Sequence, residues 1–277
     1  METKQPLLLV SVCSSFEAEE AWRGGCDLLD VKDPTAGSLG RATYETWRRV
    51  EQVYRQYGLT SREGEDRGIS VAMGELLDQV DDEDWQAIPP LVRWFKWGVA
   101  GCGKKKDWVD RWCRLLQNLK AKRHVESRPI LAAYADADRA LAPSVWDVLR
   151  VAQCTETSGV LVDTWDKSGG GLLAHLSLSE LTDWIGTARE CGLLVAVAGR
   201  LTHHDLALVA AAHPHIIAVR SAACKKGQRT GKVDASAVAQ LKEILTLHAQ
   251  QLSSIQTLGR TGSADKGRET RCPVQAD

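Results

Sequence analysis

Short apolar runs alternate with longer amphipathic segments along most of the chain. The apolar runs, rich in leucine and β-branched residues, predict eight strands at 7–12, 26–32, 68–73, 91–97, 129–134, 158–163, 193–198 and 215–220. The segments between them repeat apolar positions with the 3.6-residue period of a helix. They predict helices at 15–23, 44–57, 75–87, 104–120, 144–154, 179–190, 202–211 and 234–248.

Eight consecutive strand–helix units predict an α/β fold, and their number favours a closed (β/α)8 barrel of the TIM type. An open doubly wound sheet is the alternative, but no G-x-G-x-x-G motif follows the first strand. We expect the barrel to occupy residues 1–250 as one catalytic domain. Residues 251–277 are rich in Ser, Thr, Gly, Arg and Asp and predict a flexible, disordered polar tail.

Composition and charge exclude several classes of protein. With 44% hydrophobic residues and a formal net charge of -1, the chain has neither the polarity of a disordered protein nor the positive charge that attracts nucleic acid. The longest apolar runs are far shorter than the roughly 20 residues that span a bilayer, and no signal peptide is evident. We therefore expect a cytoplasmic protein without membrane or nucleic-acid partners.

Metal and cofactor signals are weak in the sequence. The 8 cysteines include no C-x-x-C pair, and the neighbouring histidines His203 and His204 lack the further ligands that a metal site needs. We predict no metal site and no cofactor. Homo-oligomers are common in this fold class, so we expect that a homo-oligomer can form.

Charged residues at the ends of alternate predicted strands are the strongest functional signal. Period-two alternation directs Asp30 and Lys32 of the second strand, and Lys96 of the fourth, into the barrel. The sixth and eighth strands end at Asp163 and Arg220. Because alternate strands contribute the layers of side chains inside a barrel, these residues are expected to converge at its C-terminal mouth.

Such a cluster has a chemical use. Crowded lysines depress one another's pKa, which makes a neutral amine available as an imine-forming nucleophile or a base, while carboxylates relay protons. A single lysine at a strand end is usually a solvated rim residue. The combination of several cations with two carboxylates on alternate strands favours an active site.

Two loops that commonly bind phosphate in this fold carry suitable residues. Gly199 and Arg200 follow the seventh strand, and Arg220, Ser221 and Ala222 follow the eighth. The Gly-Ser turn that contains Ser38, after the second strand, predicts a further anion-binding loop or only a turn. The expected partner is a small phosphorylated substrate.

These residues lie within motifs that resemble the (5-formylfuran-3-yl)methyl phosphate synthase family of methanofuran biosynthesis. The matching stretches run in order along nearly the whole barrel: LLLVS at 7–11, GCDLLDVKDP at 25–34, GSLG at 37–40, KWG at 96–98, AYADA at 133–137, VDT at 162–164 with Lys167, VAG at 197–199, and VR at 219–220 with AAC at 222–224. The sequence departs from the family pattern at Arg200 and Ser221.

The resemblance implies a lyase that condenses two molecules of glyceraldehyde 3-phosphate into the furan aldehyde phosphate, with loss of phosphate and water. It implies that the catalytic residues are Asp30, Lys32, Lys96, Asp163 and Lys167. The imine (Schiff base) is then expected on Lys32 or Lys167, and the sequence leaves that choice open. A class I aldolase-like triose-phosphate enzyme and a non-catalytic phosphate-binding barrel are the alternatives.

Overall fold

The barrel predicted from the sequence is present and closed. The computed structural model describes residues 5–57, 68–79, 83–123 and 126–261. Each of its eight parallel strands pairs with its neighbours in chain order, and β8 returns to pair with β1. The strands are β1 (Leu7–Val12), β2 (Leu28–Val31), β3 (Ile69–Glu75), β4 (Val92–Gly98), β5 (Arg128–Tyr134), β6 (Gly159–Asp163), β7 (Leu194–Val197) and β8 (Ile216–Val219). Closure excludes the open doubly wound sheet.

The helices surround this barrel. They are α1 (Ser15–Arg23), α2 (Tyr44–Tyr57), α3 (Trp108–Lys122), α4 (Ala137–Ala140), α5 (Val145–Gln153), α6 (Leu178–Glu190), α7 (His203–Ala211) and α8 (Ala235–Thr261). Ser177 and Thr202 each form a capping box with an acidic residue three positions later, which satisfies amides at the first turns of α6 and α7.

The core has two layers because side chains alternate along each strand. Outward-facing residues such as Leu29 and Val31 pack against the helices, with fully buried tryptophans that include Trp112 and Trp184. Inward-facing residues such as Leu28 fill the interior of the barrel at its N-terminal end. The C-terminal end of the interior carries the charged residues instead.

The predicted helix at 75–87 is wrong. Strand β3 extends to Glu75, a single 3-10 turn follows at Leu76–Asp78, and the described residues from 83 to 90 form turns. Tertiary contacts outweigh the helical pattern in this segment. Glu83 is buried and forms two hydrogen bonds to the guanidinium of Arg41, at 2.5 and 2.6 Å.

The C-terminal helix is longer than predicted. It was expected to end near residue 248, but α8 continues to Thr261, so the first part of the segment expected to be a flexible tail is helical. Residues 262–277, the rest of that predicted tail, lie outside the described residues.

Candidate active site

A pocket opens at the C-terminal ends of the strands. The space between its atoms amounts to about 470 Å³, a figure that includes its opening to solvent. Its lining contains all five residues predicted to be catalytic, which are Asp30, Lys32, Lys96, Asp163 and Lys167. Gly199, Arg200, Arg220 and Ser221 also line it.

One ion pair lies deep in this pocket. The Lys96 ammonium is 2.5 Å from a carboxylate oxygen of Asp30, and the Ser11 hydroxyl donates to the other oxygen at 2.9 Å. Burial alone would raise the pKa of Asp30, but the charges of Lys96 and Lys32 outweigh burial and hold the pKa below its ordinary value. Asp30 is therefore a carboxylate at neutral pH.

A second ion pair lies nearer the mouth. The Lys167 ammonium is 2.6 Å from Asp163, and the Ser38 hydroxyl lies 3.0 Å from the other oxygen of that carboxylate. Burial would raise the pKa of Asp163, but Lys167 and Lys32 outweigh it and bring the pKa to about 2. Burial also lowers the pKa of Lys167, against the opposing charge of Asp163.

Lys32 lies between these two pairs without a counterion of its own. Within the described residues its ammonium nitrogen makes no ion pair, and its hydrogen-bond acceptor is the carbonyl oxygen of Ser38 at 3.4 Å. Burial lowers the pKa of Lys32 to about 7, the charges of Asp163 and Asp30 only partly oppose it, and Lys96 and Lys167 lower it further. Lys32 thus supplies a neutral amine near neutral pH.

The loop between β2 and α2 builds the wall above Lys32. The Asp33 amide donates to the Gly40 carbonyl at 2.8 Å, which folds the loop back on itself. A Cβ at Gly40 would collide with the Asp33 carbonyl and with Ala36, so this closure requires glycine. The loop places the Ser38 hydroxyl 3.0 Å from Asp163, where it can orient that carboxylate. The role of this loop in binding an anion stays a prediction.

The loop after β7 lines the pocket with Gly199 and Arg200. Gly199 has a φ of +109° and a Cβ there would lie 3.0 Å from Leu172, which suits glycine. Among the described residues, the amides of Gly199, Arg200 and Ser221 donate to no other protein group. Ala222, the residue that follows Ser221, is buried and is not part of the pocket lining. The Arg200 guanidinium donates to the Gly169 carbonyl, which ties this side chain to the loop after β6.

Arg220, expected to bind phosphate, forms a structural clasp. Its five N–H groups donate to both carboxylate oxygens of Glu17 and to the carbonyls of Ser11, Arg229 and Gly231. Burial alone would raise the pKa of Glu17, but Arg220 holds it below the ordinary value. Arg220 therefore joins α1, β1 and the loop after β8, and its donors are occupied.

The clasp predicts a large effect on stability. Arg220→Met leaves the Glu17 carboxylate buried without its partner, and we expect it to lower the free energy of unfolding by about 3–5 kcal/mol. Urea unfolding followed by circular dichroism measures this. The double variant Glu17→Gln with Arg220→Met removes the unpaired charge and keeps an acceptor for the Cys13 amide, so it should be more stable than Arg220→Met alone. A single variant as stable as the wild type contradicts the clasp.

Three residues in or beside this site were not predicted from the sequence: Ser11, Glu17 and Arg229. Ser11 is the polar inward-facing position of β1 and was detectable by its alternation with Leu7 and Leu9. Glu17 is a charged residue of α1, and the helical period does not reveal that its partner is Arg220 at the end of β8. Arg229 lies on a loop, which has no periodicity, and the three-dimensional structure places it in the pocket lining.

Metal-ligand clusters and membrane-spanning helices are both absent from the described part of the chain. It contains no group of three or more His, Cys, Asp or Glu side chains that could hold a metal ion. None of its helices combines the length and the apolar character needed to cross a membrane.

The fold and the site define a (β/α)8-barrel protein with a buried pocket of lysines and carboxylates at the catalytic end of the barrel. Residues 8–242 match the family model described as 4-HFC-P synthase. The chain belongs to this synthase family, as the resemblance in its motifs indicated.

Named relatives agree with this assignment. The chain is 32% identical over 246 residues to (5-formylfuran-3-yl)methyl phosphate synthase from Methanopyrus kandleri, covering 87% of this chain and 99% of the relative. It is 30% identical over 243 residues to the synthase of the same name from Methanothermobacter thermautotrophicus, covering 86% and 98%.

Solved structures support the fold alone. 3-Hexulose-6-phosphate synthase from Salmonella typhimurium superposes with a TM-score of 0.58 at 11% identity, covering 87% of this chain and 99% of that one. Thiamine phosphate pyrophosphorylase from Pyrococcus furiosus gives a TM-score of 0.55 at 14% identity, covering 89% and 98%.

Proposed function

We propose that this protein converts two molecules of glyceraldehyde 3-phosphate into (5-formylfuran-3-yl)methyl phosphate through an imine on Lys32. The net reaction releases one phosphate and two molecules of water. We assign the reaction to the biosynthesis of methanofuran-type one-carbon carriers, the pathway of the synthase family. No metal or cofactor takes part in this proposal.

The observation that carries the proposal is the unequal pairing of the three lysines. Lys96 and Lys167 each lie within 2.6 Å of a carboxylate, whereas Lys32 has only a carbonyl acceptor at 3.4 Å. An ammonium ion cannot attack an aldehyde because its nitrogen has no free electron pair. The lysine whose pKa is lowered to about 7 has that pair available in the cell.

The two ion pairs supply the proton transfers that the reaction requires. The Lys32 amine attacks the aldehyde carbon, and loss of the former carbonyl oxygen as water gives the imine. The protonated imine draws electrons from the neighbouring carbon, so a carboxylate within reach can remove a proton there. Asp163 and Asp30 are the carboxylates beside Lys32, and their lysine partners can return protons to departing oxygens.

The phosphate groups require separate binding groups near the rim. Gly199, Arg200 and Ser221 line the pocket, and their backbone amides have no protein acceptor among the described residues. Backbone amides of this kind bind phosphate in many barrels of this class. We assign one substrate phosphate to these amides.

The direct test is to incubate the purified protein with glyceraldehyde 3-phosphate alone and to follow near-ultraviolet absorbance and released phosphate together. A furan aldehyde absorbs there and an aldol adduct does not. We expect both signals to rise in parallel, and neither to rise above background with the Lys32→Ala variant.

Each other outcome identifies a different function. A product that does not absorb, formed without phosphate release, supports the class I aldolase-like reaction. Substrate binding without turnover supports the non-catalytic barrel. Either result contradicts the proposed synthase reaction.

A further inference from the structure

Binding two phosphorylated substrates together requires more than one anion site at the rim. The amides after β7 and β8 provide one. Arg220, the cation that the sequence suggested for phosphate, has all five N–H groups committed to protein acceptors. A second phosphate therefore needs a cation other than Arg220. Arg200 lies on the loop that supplies the first set of amides, and its guanidinium donates to the Gly169 carbonyl. Arg229 is the remaining arginine of the lining, and its guanidinium takes part in neither of these contacts.

Arg229 is held across the rim of the pocket. It lies on the loop after β8, where its own carbonyl accepts from the Nε of Arg220 at 3.1 Å. Its side chain reaches over to the loop after β2 and donates to the Gly37 carbonyl at 2.7 Å. The clasp at Arg220 thus fixes the backbone of Arg229, and Gly37 fixes the direction of its side chain.

Most N–H groups of the Arg229 guanidinium have no acceptor within the described residues. Of its five N–H groups, one donates to an acceptor within the described residues, and no carboxylate there forms an ion pair with it. It lines the pocket, and its charge acts on both Lys167 and Asp163. A half-buried arginine with free donors, directed at a pocket, is suited to bind an anion because its planar fork matches phosphate oxygens.

We propose that Arg229 binds the phosphate group of one triose phosphate, while the amides of Gly199, Arg200 and Ser221 bind the phosphate of the other. This inference rests on the proposed function, which supplies the need for two phosphates. Arg229 also closes the rim between the loops after β2 and β8, so the bound phosphate lies on the side of the pocket nearest Lys32 and its loop.

The test replaces Arg229 with methionine, which removes the charge and keeps the backbone carbonyl that Arg220 binds. Glycerol 3-phosphate is the probe, because it has the phosphate of the substrate and no aldehyde to form an imine. Calorimetric titration should show binding about ten- to hundredfold weaker for Arg229→Met than for wild type, with Arg229→Lys between them. The KM for glyceraldehyde 3-phosphate should rise by a similar factor, with a smaller change in kcat.

The matched control is Lys226→Met, which removes a charge from the same loop at an exposed position outside the pocket. It should bind glycerol 3-phosphate within about twofold of wild type, since an exposed charge contributes little. Equal binding by wild type and Arg229→Met, including no binding by either, overturns the inference. Weaker binding by Arg229→Met in a protein that makes no furan would keep Arg229 as a phosphate ligand and reject the synthase reaction.

Discussion

Lys32→Met is expected to reduce kcat for furan formation by roughly 10³-fold or more, because it removes the nucleophile of the proposed covalent intermediate. The same substitution should leave the fold at least as stable as the wild type. The folded protein buries Lys32 in a site that disfavours its charged form, and methionine has a similar length without that cost. Loss of activity together with unchanged or increased resistance to urea distinguishes a chemical role from a structural one.

Borohydride trapping gives an independent readout of the same prediction. Reduction in the presence of glyceraldehyde 3-phosphate should attach the triose to the peptide that contains Lys32, and Lys32→Met should not be labelled. Lys105→Met, a substitution of an exposed lysine on the loop after β4, should keep both activity and labelling. A label found on Lys167 would reject the assignment of the nucleophile, and a fully active Lys32→Met variant would reject the imine.

The inward direction of the residues predicted to be catalytic could be inferred from the sequence because that direction is a local property of a strand. Leu29 and Val31 are apolar and face the helices, so their neighbours Asp30 and Lys32 must face the interior. Barrel closure then brings alternate strands to a common mouth. These two rules account for the pocket that contains Asp30, Lys32 and Lys96.

The pairing within that cluster could not be predicted in the same way. Which lysine takes which carboxylate depends on distances across the barrel, and these distances leave Lys32 alone between two ion pairs. Arg220 illustrates the same limit. Its predicted role was phosphate binding, but Glu17 on α1 occupies its guanidinium, and no local pattern connects those two positions.

Protonation of Lys32 is expected to set the fall of kcat/KM at low pH. In the proposed reaction the neutral form of Lys32 is the nucleophile, and its pKa of about 7 means that the protonated form dominates below that pH. We therefore expect kcat/KM to fall about tenfold per pH unit below pH 7, since kcat/KM reports ionisations of the free enzyme.

Asp163→Asn is expected to reduce kcat by about 10²- to 10⁴-fold and to move this acid limb to lower pH. The loss in rate follows from removing a carboxylate that transfers protons beside the imine. The shift follows from charge: Asp163 raises the pKa of Lys32, so removing its negative charge lowers that pKa. Lys167 loses its counterion in the variant, and its positive charge acts on Lys32 in the same direction.

Asp166→Asn is the matched control because Asp166 lies on the loop that directly follows Asp163, and its side chain contacts Arg139 and Ser168, outside the pocket. It should keep both the rate and the acid limb of the wild type within experimental error. An acid limb that stays in place or moves to higher pH in Asp163→Asn would mean that a group other than Lys32 controls it. A shift of the acid limb to lower pH together with a large loss in kcat, both measured across pH 5 to 9, supports two roles for Asp163. Its negative charge raises the pKa of Lys32, and its carboxylate transfers a proton in the proposed reaction.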